Sequence, residues 1–151
     1  TPQQSAKRLE ICRNLLENPF DLRFCHRIVT CDEKWVYWRN PNTNKQWLDY
    51  GQTALPVAAR GQFEKKSMLC VFWNFEGVIH HEFVPDGCSI NSELYCEQLE
   101  RLYSKISERY PALINRKGVL LQQDNARPHT SHRTKEKFTE LHGFELLPHP
   151  P

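Results

Sequence analysis

The first apolar pattern along the chain has the period of a helix. Thr1 and Pro2 suit a helix start, because threonine can cap the first turn and proline fits the first helical position. Pro19 predicts the end of this helix. The apolar residues in between recur at spacings of three and four and would form one face: Leu9, Cys12, Leu15 and Leu16. We therefore predict an amphipathic N-terminal helix that needs a surface to pack against.

The next segments are rich in the β-branched and aromatic residues that favour strands. Residues 27–38, with the sequence RIVTCDEKWVYW, predict two strands with a short break near Glu33. Residues 66–75 and 78–84 predict a hairpin with its turn at Gly77. We expect these early strands to be antiparallel.

Helix and strand patterns alternate in the second half of the chain. Residues 91–110 carry apolar and aromatic residues at helical spacing and predict the clearest helix. Residues 119–123 predict a strand, 130–141 a polar helix and 144–147 a last strand. Because helices connect the later strands, these should form βαβ units with parallel pairing. The sequence thus predicts an α/β fold in one domain, with a mixed sheet and helices on its faces.

The composition excludes several classes of protein. The 151 residues are 39% hydrophobic and 25% charged, which is typical of a globular domain and not of a disordered segment. No apolar run approaches the ~20 residues of a membrane-spanning helix, so we expect no membrane partner. A net charge of +2 is too small to indicate a free-standing DNA-binding domain, but it does not argue against a nucleic-acid enzyme with acidic metal ligands.

The six cysteines do not follow the pattern of a zinc site. No two of them have the C-x-x-C spacing, so the pair His129 and His132 has no cysteine pair to complete such a site. Cys31 and Cys70 lie in apolar segments, where a free thiol packs as a small hydrophobic group. We therefore expect six reduced thiols in an intracellular protein.

Two aspartates lie in strand-like segments. Asp32 interrupts the first of these segments, and Asp124 ends the apolar run at 119–123. A carboxylate buried alone is costly, so each acid needs a partner. If neighbouring strands bring the two together, a divalent cation would relieve their repulsion, and Mg²⁺ prefers carboxylate and water oxygens. Such ions can activate water against a phosphodiester. The alternative for each acid is a strand-end turn or an ion pair, with Lys34 and Arg127 as candidate partners.

Three strings in the sequence carry a resemblance to a known family: IVTCDEKWVYW, LLQQDNARPHT and FELLPHPP. They resemble the catalytic domain of mariner-type DNA transposases, and the similarity runs over essentially the whole chain. The resemblance implies an RNase H-like fold, with helices on both faces of a five-stranded mixed sheet. It also implies that three acids cut and join DNA with Mg²⁺ or Mn²⁺, and that Asp32 matches the first acid and Asp124 the second.

The resemblance also implies parts that this sequence does not contain. The family's third acid lies further along than the last residue here, and Glu136, Glu140 and Glu145 are the only acids after Asp124. None of the three has the position of the third acid, and the family's N-terminal helix-turn-helix region is missing as well. We therefore expect residues 1–151 to be a C-terminally truncated catalytic-domain fragment that by itself cleaves little or no DNA.

Further residues near the second acid could contact DNA: Asn125, Arg127 and His129. For His129 we favour the alternative of a capping or packing residue at the start of the next helix. Residues 39–62 resemble the family's clamp loop, which bridges the two protomers of the DNA-bound dimer, and an ordinary surface loop is the alternative. For the aromatic residues near the first acid, we favour core packing over base stacking: Trp35, Tyr37, Trp38 and Trp47.

The sequence leaves more than one class of function open. The leading hypothesis is the catalytic core of a cut-and-paste DNA transposase, with transposon ends and target DNA as partners, a homodimer in the DNA complex and a nuclear location. A non-catalytic alternative is a domesticated or decayed transposase segment that binds DNA or dimerises. A structural protein without metal is a further alternative. An RNA–DNA hybrid nuclease of the same fold is less favoured, because DNARPH belongs to the transposase pattern.

Overall fold

The structure is a computed structural model that describes residues 1–17, 22–39, 46–56 and 63–151. The helices in these ranges are α1 (Pro2–Glu17), α2 (Leu22–Cys25), α3 (Ser92–Arg109), α4 (Arg127–Thr130) and α5 (His132–Glu140). The strands are β1 (Ile28–Tyr37), β2 (Lys66–Asn74), β3 (Gly77–Phe83), β4 (Val119–Gln122) and β5 (Phe144–Leu146). A short π-helical turn, Leu113–Lys117, precedes β4.

The strands form one mixed five-stranded sheet in the order β3-β2-β1-β4-β5. β1, β2 and β3 pair antiparallel, whereas β4 is parallel to β1 and β5 is parallel to β4. Parallel pairing needs a crossover longer than a hairpin turn, and the helices before β4 and β5 provide it. The predicted mixed sheet, with antiparallel early strands and parallel later ones, is therefore confirmed.

β1 is one continuous strand, so the prediction of two strands with a break near Glu33 is wrong. Its ladder to β2 runs without a gap from Thr30, opposite Trp73, to Tyr37, opposite Lys66. The backbone hydrogen bonds of the ladder do not depend on side-chain polarity. Charged residues are therefore accommodated inside the strand where their side chains reach solvent or a polar partner.

One hydrophobic core lies between the sheet and α3. Along each of these strands, the residues that face the core are two positions apart: Val29 and Cys31 in β1, Cys70 and Phe72 in β2, Val119 and Leu121 in β4. α3 covers them with residues at helical spacing: Tyr95, Leu99, Leu102 and Ile106. Burying one side chain of this size contributes about 1.5–3 kcal/mol. The helix predicted over 91–110 therefore holds β1, β2 and β4 together beneath it.

Local signals set the ends of two helices. Asn91 caps α3, because its Oδ1 accepts a hydrogen bond from the backbone N of Leu94 at 2.8 Å. Gly143 follows α5 with a φ of +78°, a conformation that favours glycine. A Cβ at this position would lie 2.5 Å from the carbonyl oxygen of Ile114. Glycine at position 143 therefore allows the backbone before β5 to lie close to Ile114, in the turn before β4.

α1 is present as predicted, but none of its residues is buried. Leu16 on its apolar face stays 68% exposed. Pro19, the predicted end of the helix, lies outside the described residues. Packing of the apolar face is therefore not seen within the described part of the chain.

None of the described helices combines the length and the apolar character that crossing a bilayer requires. All six cysteines are free thiols, as expected.

The tryptophans near the first acid are exposed and Tyr37 is half-buried, so the prediction that these aromatic residues pack in the core is wrong. Trp35 is 44% exposed and Trp38 is 69% exposed. Lys66 Nζ lies 4.3 Å from the ring centroid of Trp35, and Lys65 Nζ lies 4.7 Å from that of Trp38. The rings are thus covered by ammonium groups, which are attracted to the aromatic face, and not by apolar side chains.

Residues 46–56 are the described part of the loop predicted at 39–62, and its other residues after Arg39 lie outside the described residues. This part contains no helix or strand. The side chain of Gln46 closes it, because its Nε2 donates to the backbone oxygen of Leu55 at 3.0 Å and its Oε1 accepts from the backbone N at 2.9 Å. The role of the loop as a clamp stays a prediction.

Candidate active site

The parallel pairing of β1 and β4 sets the positions of the two aspartates. Thr30 of β1 lies opposite Gln122 of β4. Asp32 follows Thr30 by two residues, and Asp124 follows Gln122 by two residues, which is one full repeat of a strand. Because the two strands run in the same direction, both acids lie just beyond the carboxyl end of this parallel ladder. The fold therefore places them at matching positions of neighbouring strands, beyond the carboxyl end of their parallel ladder, where ligands of α/β sheets commonly bind.

Asp32 faces away from the hydrophobic core. Val29 and Cys31, the inward residues before it, are 0% and 6% exposed, whereas Asp32 itself is exposed. Its backbone lies opposite Val71 of β2. Within the described residues its side chain forms no ion pair, so the alternative partner Lys34 is not used. An exposed carboxylate of this kind keeps its ligand oxygens accessible to a cation from solvent.

Asp124 is held by local hydrogen bonds. Its Oδ1 accepts one from the backbone N of Ala126 at 2.9 Å and one from Nδ1 of His129 at 2.7 Å. Partial burial would raise the pKa of Asp124, but these hydrogen bonds and the charge of His129 outweigh it, so the pKa lies below its ordinary value. Among the ion pairs of the described residues, His129 and not Arg127 is the partner of this acid.

His129 connects Asp124 to a third carboxylate, Glu33. The His129 side chain is 3% exposed, and its Nε2 lies 3.0 Å from Oε1 of Glu33. Burial alone would lower the pKa of His129, but the hydrogen bonds and charges of Glu33 and Asp124 raise it above its ordinary value. A protonated imidazole can donate from both nitrogens, one to each carboxylate.

Tyr95 and Gln123 support His129 from the core side. The ring centroids of Tyr95 and His129 are 4.2 Å apart. The Tyr95 hydroxyl donates a hydrogen bond to Oε1 of Gln123, whose Nε2 donates to the backbone oxygen of His129 at 3.2 Å. Satisfied polar networks in the interior hold their members in one arrangement. His129 therefore occupies the packing position that the sequence favoured, and its role as a DNA contact stays a prediction.

A cleft of about 240 Å³ opens beside Asp124, between the end of β4 and the C-terminal residues of the chain. Asn125 lies on its wall and donates from Nδ2 to the backbone oxygen of Pro150 at 3.3 Å. Arg127 begins α4 and is exposed, as is Asn125. Both residues can be reached from solvent, as a DNA contact requires, and that role stays a prediction.

Glu33 and Gln123, which support Asp124 through His129, were not identified from the sequence. Glu33 follows Val29 and Cys31 at the strand period of two, so its inward position could have been predicted. Its partner His129 is 96 residues away, and no local pattern connects the two. Gln123 has no signal of its own in an apolar strand. The supporting residues were missed because their roles depend on contacts between distant segments.

The donor set at this end of the sheet suits a hydrated divalent cation. Mg²⁺ usually takes one or two protein carboxylates and fills its remaining positions with water. Both hydrogen bonds that Asp124 accepts from described residues fall on Oδ1, which leaves Oδ2 as a ligand atom. In the described ranges no group of three or more His, Cys, Asp or Glu side chains is placed to hold a metal ion. The residues that would hold such a cation are thus Asp32 and Asp124, with water as the remaining ligands.

A transposase family and two known proteins are similar to this chain in sequence. The model of the family described as Transposase (partial DDE domain) matches residues 37–116. Human histone-lysine N-methyltransferase SETMAR is 38% identical over 151 residues, which are 100% of this chain and 22% of that protein. The mariner Mos1 transposase of Drosophila mauritiana is 36% identical over 148 residues, which are 97% of this chain and 43% of the transposase.

The fold is similar as well. The crystal structure of the Mos1 mariner paired-end complex with Mn matches with a TM-score of 0.88 and 36% identity, over 99% of this chain and 44% of that one. This match confirms the predicted RNase H-like fold. The chain spans less than half the length of these relatives, and the residues matched by the family model include neither Asp32 nor Asp124. Since the family model matches more than half of the chain and a mariner transposase is similar over nearly all of it, this chain belongs to the mariner-type transposases with a DDE domain.

Proposed function

We propose that this chain forms the metal-dependent catalytic core of a cut-and-paste DNA transposase. The observation that carries the proposal is the register of β1 and β4, by which Asp32 and Asp124 each follow the last pair of the parallel ladder by two residues. The similarity to the Mos1 transposase in sequence and fold supports it. Because the chain spans only part of these relatives, cleavage and strand transfer are proposed for the whole protein. The chain by itself is proposed to be nearly inactive.

In this proposal Asp32 and Asp124 hold Mg²⁺ or Mn²⁺, and the Mn complex of the related transposase supports the choice of metal. The metal would lower the pKa of an attacking water and stabilise the departing oxygen of a phosphodiester. The chain contributes two carboxylates on adjacent strands, whose mutual repulsion a cation relieves. Water and then a 3′-hydroxyl act as nucleophiles, so no protein nucleophile is required.

The proposed substrate is DNA, at transposon ends and at the target site. The related structure is a paired-end complex, which supports DNA as a partner and two copies acting together. Asn125 and Arg127 are the proposed DNA contacts, because exposed amide and guanidinium groups bind phosphate oxygens. Residues 39–62 are proposed to bridge the two copies. A nuclear location is proposed because the substrate is chromosomal DNA.

Calorimetry with Mn²⁺ tests the metal site on this chain. Heat of binding is expected at millimolar metal, with weak affinity because only two acids contribute. The heat should vanish in Asp32→Ala and in Asp124→Ala. Asp49→Ala is the matched control, since this acid is exposed in the loop at 46–56, and it should leave the heat unchanged. A wild-type chain that gives no heat at millimolar Mn²⁺ would contradict the proposal.

Cleavage assays test the reaction itself. With Mn²⁺, the 151-residue chain is expected to nick supercoiled plasmid little or not at all. A longer protein that includes the family's third acid should nick it and should lose that activity in Asp32→Ala. Cleavage of RNA–DNA hybrids without nicking of duplex DNA would instead support a hybrid nuclease. A longer protein in which another residue replaces the third acid would support the non-catalytic alternative. The similarity to the Mos1 transposase does not favour that alternative.

A further inference from the structure

Glu33 is an acid on the core side of β1, next to an aspartate on the exposed side. Its side chain is only 14% exposed, and Cys31 Sγ donates to its Oε1 at 3.8 Å. A carboxylate in such surroundings is unfavourable unless a polar or charged group compensates it. The compensating group is the imidazole of His129, at 3.0 Å from the same Oε1. Among the described residues, the ion-pair partner of this acid is thus a residue of the candidate site.

The imidazole of His129 is held on three sides. One ring nitrogen bonds to Glu33, the other bonds to Asp124 at 2.7 Å, and the Tyr95 ring lies against its face at 4.2 Å. Gln123 fixes the backbone of the same residue through its side-chain amide. With both nitrogens engaged, the ring cannot rotate without breaking a hydrogen bond to a carboxylate. The orientation of His129 is therefore set by Glu33 as well as by Asp124.

Asp124 needs this support more than Asp32 does. It lies beyond the last residue of β4, where no strand pairing holds its backbone, and its side chain is 60% exposed. An exposed carboxylate outside a strand samples several rotamers unless hydrogen bonds select one. The bonds from Ala126 and His129 both fall on Oδ1 and make that selection. Partners of this kind behind a metal ligand orient the ligand and raise metal affinity.

We propose that Glu33 is a positioning residue of the metal site, which acts through His129 to hold the carboxylate of Asp124 in its metal-binding rotamer. The proposal rests on the proposed function, because it assumes that Asp124 is a metal ligand. It adds to the two aspartates a third acid of this chain that does not bind the metal itself. Glu33 therefore controls metal affinity from the core side of β1.

The affinity of the 151-residue chain for Mn²⁺ is the first measurement. Glu33→Met removes the acceptor oxygens at similar side-chain length and is expected to weaken Mn²⁺ binding at least about tenfold, as is typical for partners behind a metal ligand. Glu33→Gln keeps an oxygen that can accept from Nε2 and should restore most of the affinity.

A matched control comes from a second histidine–glutamate pair of the same chain. His132 and Glu136 on α5 are 3.3 Å apart, but both are exposed and neither contacts Asp124. Glu136→Gln should therefore leave Mn²⁺ affinity unchanged. Equal affinity of Glu33→Met and wild type, with cooperative unfolding in both, overturns the proposal.

Nitrogen-15 NMR of the His129 ring provides a readout that does not depend on metal or on a folded variant. In the metal-free wild-type chain, Nε2 should carry a proton that is protected from exchange by its hydrogen bond to Glu33. A ring whose Nε2 proton exchanges freely overturns the proposal, even if Glu33→Met fails to fold. The proposed function fails differently, namely when the wild-type chain binds no Mn²⁺ while this ring proton remains protected.

Discussion

His129 Nδ1 lies 2.7 Å from Asp124 Oδ1, and this hydrogen bond joins the second residue after β4 to the short helix α4. Because His129 is only 3% exposed, its ring belongs to the interior as much as to the candidate site. Substitutions here should therefore affect folding stability as well as metal binding.

His129→Ala should lower the free energy of unfolding by about 2–3 kcal/mol, because it leaves Glu33 nearly buried without its partner. Urea denaturation of the metal-free chain measures this change. His132→Ala is the control, since the side chain of His132 is 88% exposed, and its effect should stay within about 0.5 kcal/mol. Equal losses in the two variants would show that the buried position of His129 has no energetic consequence.

Gly143→Ala should destabilise the fold more than Gly51→Ala. Both glycines have a positive φ, of +78° and +88°, so alanine is strained at each. At Gly143 the new Cβ would also lie 2.5 Å from the carbonyl oxygen of Ile114, whereas at Gly51 no atom of the described residues, apart from the two adjacent ones, lies within 4 Å. The difference in unfolding free energy should be about 1–3 kcal/mol. Thermal or urea denaturation measures it, and equal losses would argue against a close approach at Gly143.

Glu82 on β3 should make stability depend on pH. It accepts two hydrogen bonds from Arg101 on α3, at 2.8 and 2.9 Å. Partial burial alone would raise the pKa of Glu82, but these hydrogen bonds outweigh it and lower the pKa below the ordinary 4.5. The ionised carboxylate therefore stabilises the fold above pH 4.5, and this contribution is lost as the pH falls through the lowered pKa.

Glu82→Gln mimics the protonated acid, so it tests this dependence. The variant should be less stable than wild type by about 1 kcal/mol at pH 7, and the difference should disappear in acid. Urea midpoints from pH 7 to pH 3 measure it. Glu108→Gln, at a side chain that is 76% exposed, should show no such trend. A wild-type advantage that persists at full size at pH 3 would contradict the interpretation.

The cysteines should divide sharply in their reactivity towards alkylating reagents. Cys12 and Cys88 are exposed, whereas Cys31 and Cys70 are buried. Burial raises the pKa of Cys70 to about 11 and that of Cys31 well above its ordinary value, so both remain unreactive thiols near neutral pH. Iodoacetamide at pH 7.5 should label the exposed pair in the folded chain and the buried pair only in urea. Peptide mass spectrometry identifies the labelled sites, and labelling of Cys70 at the rate of Cys88 would contradict this order.

Helices and strands whose signals lie within a few residues of the sequence could be predicted from it. The helix predicted over 91–110 is observed as Ser92–Arg109, because its apolar period and its cap at Asn91 are local features. The hairpin of β2 and β3 follows in the same way from two strand patterns around a short turn. The continuity of β1 was not predictable, because the strand is carried through Glu33 by its pairing with β2 and not by its own pattern.

By itself, the sequence determined the long helices, the strand segments of the mixed sheet and the two aspartates that do not fit their apolar surroundings. Only the tertiary structure decided that β4 lies beside β1 in a register that brings Asp32 and Asp124 to the carboxyl end of their parallel ladder. It also decided that Glu33 meets His129 across 96 residues. The reason is physical: periodicity is encoded within a few residues, whereas strand register and buried hydrogen bonds arise from the packing of distant segments around one core.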